Sequence, residues 1–237
     1  MTPVALFDAL DATWPAARTD RLPPFVIRDG QGGGKRVSAA QAIGPVTQDD
    51  LARAESAMLA LGQPRLFVLR DTTDPLYGML AAQGYRVIDP TVIRACPIES
   101  LTVHHPPRLS AFTLWEPLQI MRDIWAEGGI GPARIAVMEK VIGPRTALLG
   151  RSNDSPSGTG FVAVYGGIAM VHALEVRAGS RRQGAARNLM LAAAHWAAGQ
   201  GARHMAVAVT AGNGPANALY ALLGMPICAR YHYRIKD

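Results

Sequence analysis

Two hydrophobic rhythms alternate along this chain. Apolar residues at helical spacing mark a short helix from Pro3 to about Ala12. Trp14-Pro15 interrupts it, because proline cannot continue a helix and keeps its predecessor extended. Phe25–Arg28 reads as a strand, Asp29–Gly34 as a glycine-rich loop, and Arg36–Gln41 as the return strand of a hairpin. Thr47 stands at an N-cap, with Asp49 and Asp50 in the first turn of a helix that runs to about Leu61 and stops at Gly62. Arg65–Leu69 is a buried-looking strand. Asp74 caps a helix that begins at Pro75, reaches about Ala82 and ends at Gly84. A strand starts over Tyr85–Asp89 and resumes at Val92–Cys96.

The segment Glu99–Ser110 has turn formers and a proline pair but no sustained period. It reads as a crossover between two halves, taken as residues 1–105 and 106–237. Helices follow around Pro117–Ala126 and Gly131–Val141, then a strand at Thr146–Leu149 and a turn-rich loop at Ser152–Gly158. Gly160–Tyr165 and Ile168–Val176 form a hairpin across Gly166-Gly167. An Ala-rich helix, Asn188–Ala198, ends at Gly199–Gly201. A strand at His204–Val209, a helix from Pro215 to Leu223 closed by Gly224, and a last strand at Cys228–Arg234 complete the chain. Each half runs helix, apolar strand, helix, glycine, strand, which reads as a tandem duplication of one α/β unit.

Composition narrows the classes. At 237 residues the chain holds one large domain or two modest ones. No apolar run reaches the ~18 residues of a membrane span, so no membrane partner is expected. The N-terminus carries early acids instead of a basic n-region, which speaks against a secretory signal. Cys96 and Cys228 lie far apart without metal spacing and read as thiols in a reducing cytoplasm. The net charge of +6 is scattered, with no basic stripe interleaved with aromatics, so nucleic acid is not an expected partner. Basic side chains around a polyanionic ligand are enough to account for it.

The chemistry concentrates between the strand ending at Val176 and the Ala-rich helix. Arg181, Arg182, Gln183, Gly184, Ala185 and Ala186 form a basic, glycine-bearing loop that opens a helix. First-turn amides have no intrahelical acceptor, and the helix dipole adds partial positive charge there. Gly184 and the two alanines keep side chains clear, so a phosphate can approach the backbone, while Arg181 and Arg182 add charge-assisted donors.

Two motifs then coincide. Arg181, Gly184 and Ala186 meet the pattern Arg/Gln-x-x-Gly-x-Gly/Ala; Asn213, Ala216, Leu219, Tyr220 and Gly224 meet Asn-x-x-Ala-x-x-Leu-Tyr-x-x-x-Gly-Phe, with Met225 in place of the final Phe. In that order, with a helix and a strand between them, they make roughly residues 111–237 resemble the GNAT superfamily of acyl-CoA-dependent N-acetyltransferases. The stretch His172–Val176 is similar to the arylalkylamine branch. The first half looks like a degenerate GNAT half, as in tandem members: Leu76-Tyr77 and Gly84-Tyr85 are motif-like, but their spacing is too long and no anion loop is present.

The resemblance implies an α/β GNAT fold, with a mixed central sheet flanked by helices, and acetyl-CoA as cosubstrate without a metal. The loop from Arg181 to Ala186 would bind the diphosphate, together with Asn213, for which a turn role at the start of the helix fits nearly as well. Backbone groups of Leu174 and Val176 would pair with the pantetheine arm. An attacking alkylamine must lose a proton, and His172 is the chosen base, since an unperturbed imidazole titrates near neutrality. A strict period of two puts His172 with Met170 and Leu174 on one strand face, and Glu175, the lesser candidate, with Ala173 on the other. A packed strand histidine is the plain structural alternative. Tyr220 would protonate or hydrogen-bond the leaving thiolate, or else be a core aromatic.

Other features have blander readings. Gly30–Lys35 is one residue short of a P-loop, and Arg36 stands where Ser or Thr should meet Mg²⁺. His104-His105 lacks metal spacing. Trp115 and Trp125 have core spacing, although in this family the helices here border the acceptor. The expected activity is therefore acetyl transfer to a small-molecule amine by direct attack, in the cytoplasm, in a chain free to form a homodimer. The rivals are a protein-amine acetyltransferase and a non-catalytic acyl-CoA sensor.

Overall fold

Thr2 accepts a hydrogen bond from the Ala5 amide at 3.3 Å and caps the first helix, α1 (Pro3–Thr13), whose first position is a proline. Trp14, kept out of the helical region by Pro15, ends it. The computed structural model describes residues 1–70 and 75–236. The expected Asp74 cap lies outside them.

The remaining elements are β1 (Arg18–Leu22), β2 (Phe25–Asp29), α2 (Lys35–Ser38), β3 (Gln41–Ala42), α3 (Gln48–Ala60), β4 (Arg65–Leu69), α4 (Pro75–Ala82), β5 (Arg86–Pro97) and α5 (Glu99–Thr102). These are followed by β6 (Ala111–Leu114), α6 (Gln119–Glu127), α7 (Pro132–Glu139), β7 (Arg145–Ser152), β8 (Ser155–Tyr165), β9 (Ile168–Val176), α8 (Ala185–Gly199), β10 (His204–Thr210), α9 (Gly214–Leu222) and β11 (Ile227–Lys236). The chain clusters into two units. One comprises Met1–Trp14, Ile93–Val209 and Asn213–Ala229; the other comprises Pro15–Val92, Thr210–Gly212 and the stretch from Arg230.

In the second of these units, β1, β2 and β3 form a small antiparallel sheet. β4 pairs antiparallel with β11 from His232 to Lys236. Phe25, Ile27, Leu51, Met58, Phe67, Leu76, Leu80 and Tyr85 share one core. The Thr47 cap is a full capping box with Asp50. The expected return strand at 36–41 is instead the helical turn α2, with a ladder only at Gln41–Ala42. The cause is local. Ser38 folds back to donate to the Gly34 carbonyl, and a Cβ on Gly30 would fall 2.1 Å from Ser38 Oγ, so the loop closes on itself.

In the other unit, strands run in the order β5-β10-β9-β8-β7-β6, with β9 and β10 parallel and β6 to β9 antiparallel. α8 lies across β6, β7, β8 and β9, while α1 and α6 lie on β8 and β9. The Ala-rich face of α8 buries Ala193, Ala194 and Ala197, which lets backbone approach backbone. Leu189, Met190 and Leu191 are the larger side chains buried with them, and Leu189 has its place prepared by glycine. Leu189 seats on Gly150 and Gly158, where added Cβ atoms would stand 3.3 Å from its Cδ1. Burying it contributes about 2 kcal/mol.

Candidate active site

Two structural events place the candidate residues. The first is the parting of two parallel strands. β9 and β10 pair over four positions, from Ile168–His204 to Val171–Val207. Beyond that no pairing joins them among the described residues, although β9 continues to Val176 and β10 to Thr210. The backbone of β9 beyond Val171 thus faces β10 with ladder groups that an extended ligand can use.

The second event is a β-bulge. Thr159 pairs with Glu175 and Phe161 with His172, so three steps on β9 match two on β8. Ala173 takes up the extra residue at φ 50°, and the indole of the fully buried Trp125 donates to its carbonyl at 2.8 Å. This corrects the expected alternation. Paired residues share a sheet face, as do Thr159 and Phe161, so His172 and Glu175 point to the same side. Leu174 turns to the other side, against Gly160. Trp125 is therefore a core residue that pins the bulge.

Past the bulge the chain makes a short 3₁₀ turn, Ala178–Ser180, and enters the predicted anion loop. Arg182 and Gly184 both have positive φ, 63° and 84°, and Gly184 is the N-cap of the 15-residue helix α8. The amides of Gly184, Ala185, Ala186 and Arg187 have no acceptor among the described residues, and no heavy atom lies within 4 Å of a Cβ built on Gly184. These donors and the dipole behind them form a site suited to an anion. Arg181 supports the loop: its Nε donates to the Val176 carbonyl at 3.1 Å, and its terminal nitrogen pairs with Glu175 at 3.4 Å. Gln183 donates to the Gly179 carbonyl. Glu175 crosses over Gly128, where any Cβ would stand 2.6 Å from its carboxyl carbon, and Arg177 pairs with Glu127 at 2.8 Å.

His172 is 4% exposed. Its Nε2 lies 2.8 Å from Thr13 Oγ1, and its ring packs 5.0 Å from that of Trp14 and 6.3 Å from that of Phe161. Trp115 is half-buried, 5.8 Å from Phe161 and beneath the Arg145 guanidinium. Sequence reasoning missed Thr13 and Trp14, because 159 positions separate Thr13 from His172 and no motif links them. Tyr220 is buried on α9, and burial pushes its phenol up to about 12. Its hydroxyl has no hydrogen-bond partner among the described residues. Asn213 caps α9 by accepting from the Ala216 amide at 3.2 Å, the role at the start of the helix that its position allowed. Among the described residues, no group of three or more His, Cys, Asp or Glu side chains is placed to hold a metal. No helix of the described residues is long and apolar enough to cross a membrane.

Parting parallel strands beside a helix with unspent N-terminal amides offer donors that an extended, anion-tailed ligand can use. Residues 120–225 match the acetyltransferase (GNAT) family, and that family implies acyl-CoA-dependent acyl transfer. The fold agrees. A GCN5-related N-acetyltransferase from Kribbella flavida superposes with a TM-score of 0.71 at 19% identity, covering 100% of this chain and 96% of that one. A functionally unknown conserved protein from Staphylococcus epidermidis has a TM-score of 0.71 at 11% identity, covering 96% of each chain. A tandem GNAT protein from the clavulanic acid biosynthesis pathway has a TM-score of 0.61 at 14% identity, covering 84% of this chain and 74% of its own. At such identities the likeness concerns the fold alone. No curated protein matches the sequence.

Proposed function

We propose that the chain is an acetyl-CoA-dependent N-acetyltransferase that transfers the acetyl group to the amine of a small molecule in a ternary complex. The observation that carries this reading is the pairing of the strand opening beyond Val171–Val207 with the unspent amides of Gly184–Arg187. The amides, with Arg181, Arg182 and Gln183, bind the diphosphate, and the β9 backbone at Leu174 and Val176 binds the pantetheine arm. Arg181 leaves the Val176 carbonyl when that arm arrives.

Binding both reactants in one cleft makes the attack effectively unimolecular. The amine nitrogen bonds to the acetyl carbonyl carbon as its proton passes to His172, directly or through water, and the carbon–sulfur bond breaks. Tyr220 hydrogen-bonds or protonates the departing sulfur. A phenol held at about 12 stays protonated across the working pH range, so it remains a donor. Asn213 shapes the start of α9 beside the cofactor.

In this reading residues 106–237 catalyse and residues 1–105 are a degenerate GNAT-like half that packs and shapes. A tandem GNAT protein stands among the structural neighbours. The protein works in the cytoplasm, free of nucleic acid and membrane, alone or as a homodimer. The burial of His172 and the pairing of Glu175 with Arg181 favour one rival, an acyl-CoA sensor without turnover. Thiol release from acetyl-CoA against a panel of alkyl and aryl amines decides between them. Amine-dependent release supports the transferase, and saturable binding without release over the whole panel supports the sensor.

A further inference from the structure

The hydroxyl of Thr13 is 2.6 Å from the Ala9 carbonyl and 2.8 Å from His172 Nε2, in surroundings where both side chains are buried. A carbonyl only accepts, and a threonine hydroxyl has one proton. That proton goes to Ala9, one turn back along α1, as threonine commonly bonds within a helix. The oxygen can then meet Nε2 only as an acceptor, so Nε2 must carry a hydrogen. Trp14, the next residue, packs its ring at 5.0 Å and 35° to the imidazole and restricts its rotation.

We infer that Thr13 is a positioning residue: it fixes His172 as the Nε2–H tautomer, which makes Nδ1 the nitrogen that accepts a proton. This rests on the reading of His172 as base. In the transfer step the N–H bond of the attacking amine breaks and an Nδ1–H bond forms. The resulting imidazolium keeps its Nε2–H bond to Thr13, and the ring does not turn between turnovers. The residue that orients the base thus comes from the first helix of the chain, far in sequence from the strand that carries it.

The test is long-range ¹⁵N–¹H NMR on the full chain labelled at histidine, with the His172 signals assigned by their loss in His172→Gln. The wild type should show the Nε2–H pattern, Thr13→Ser should keep it, and Thr13→Val, similar in size but without the hydroxyl, should lose it. On any amine turned over in the panel, Thr13→Val should lower kcat by about 10-fold, with KM for acetyl-CoA unchanged and the rate restored in Thr13→Ser. An Nδ1–H or doubly protonated ring in the wild type, or an unchanged pattern in Thr13→Val, overturns the inference. If the NMR results hold but neither Thr13→Val nor His172→Ala alters turnover, the tautomer assignment stands and the reading of His172 as base fails.

Discussion

The chain contains two basic, glycine-bearing loops that lead into helices, one at Gly30–Lys35 and one at Arg181–Gly184, and only the second has the physics of an anion site. In the first, three of the loop amides are already spent, and the Val37 amide of the following turn bonds back to the Gly34 carbonyl. Gly30 N donates to Gln63, Gly33 N to the Gly30 carbonyl, and Gln31 N to Asp29. The helix that follows, α2, is four residues long, and Lys35 pairs with Asp89 at 2.7 Å. In the second, four consecutive amides have no acceptor among the described residues, and the helix behind them has 15 residues. Glycines and positive charge are common to both. A run of four unspent donors and a full-length dipole separate them.

The sharpest way to break this comparison is Gly184→Glu. The added carboxylate enters the open space over the amides, and like-charge conflict with a diphosphate should weaken acetyl-CoA binding by about 100-fold or more, read by titration calorimetry. Unchanged affinity would return the second loop to the standing of the first. His172→Ala tests whether chemistry is coupled to the second loop. It should lower turnover by about 100-fold near neutral pH and by less at high pH, where neutral amine is plentiful, with acetyl-CoA affinity preserved. A pH profile parallel to the wild type would remove His172 as base. Tyr220→Phe should cost about 10-fold in kcat with little change in affinity. Because burial raises the phenol to about 12, no alkaline loss of activity should arise from Tyr220 until the pH climbs towards that value. The smallest effect is expected at the first loop: Lys35→Ala removes a half-exposed ion pair and should leave acetyl-CoA affinity unchanged.

The same contrast explains what could be read from the sequence. The glycine-capped loop that opens α8 was legible because its ingredients are local: Gly184 before a long Ala-rich helix, with arginines beside it. The hairpin over Gly166-Gly167 was legible for the same reason, as were the Thr47 cap and the Trp14-Pro15 stop. The first loop misled because Arg36–Gln41 has strand-like composition, while its conformation is set by Ser38 turning back to Gly34 and crowding Gly30. β1 escaped notice because Arg18–Leu22 is mostly polar and exposed, without the alternation of a half-buried strand.

In the candidate site, residue types were legible and geometry was not. The bulge falls on Ala173, which nothing in composition sets apart, yet it brings Glu175 to the face of His172 and sends Leu174 to the other. Burial of His172 beneath Thr13 and Trp14 is a tertiary event between the first helix and β9, invisible to any local pattern.

The most direct test of the central claim is titration of acetyl-CoA into the folded chain, with Gly184→Glu as control. The account predicts saturable heat for the wild type and its loss in the variant while the fold persists by circular dichroism. A well-folded wild type that gives no heat, or a Gly184→Glu chain that binds as tightly, would contradict it.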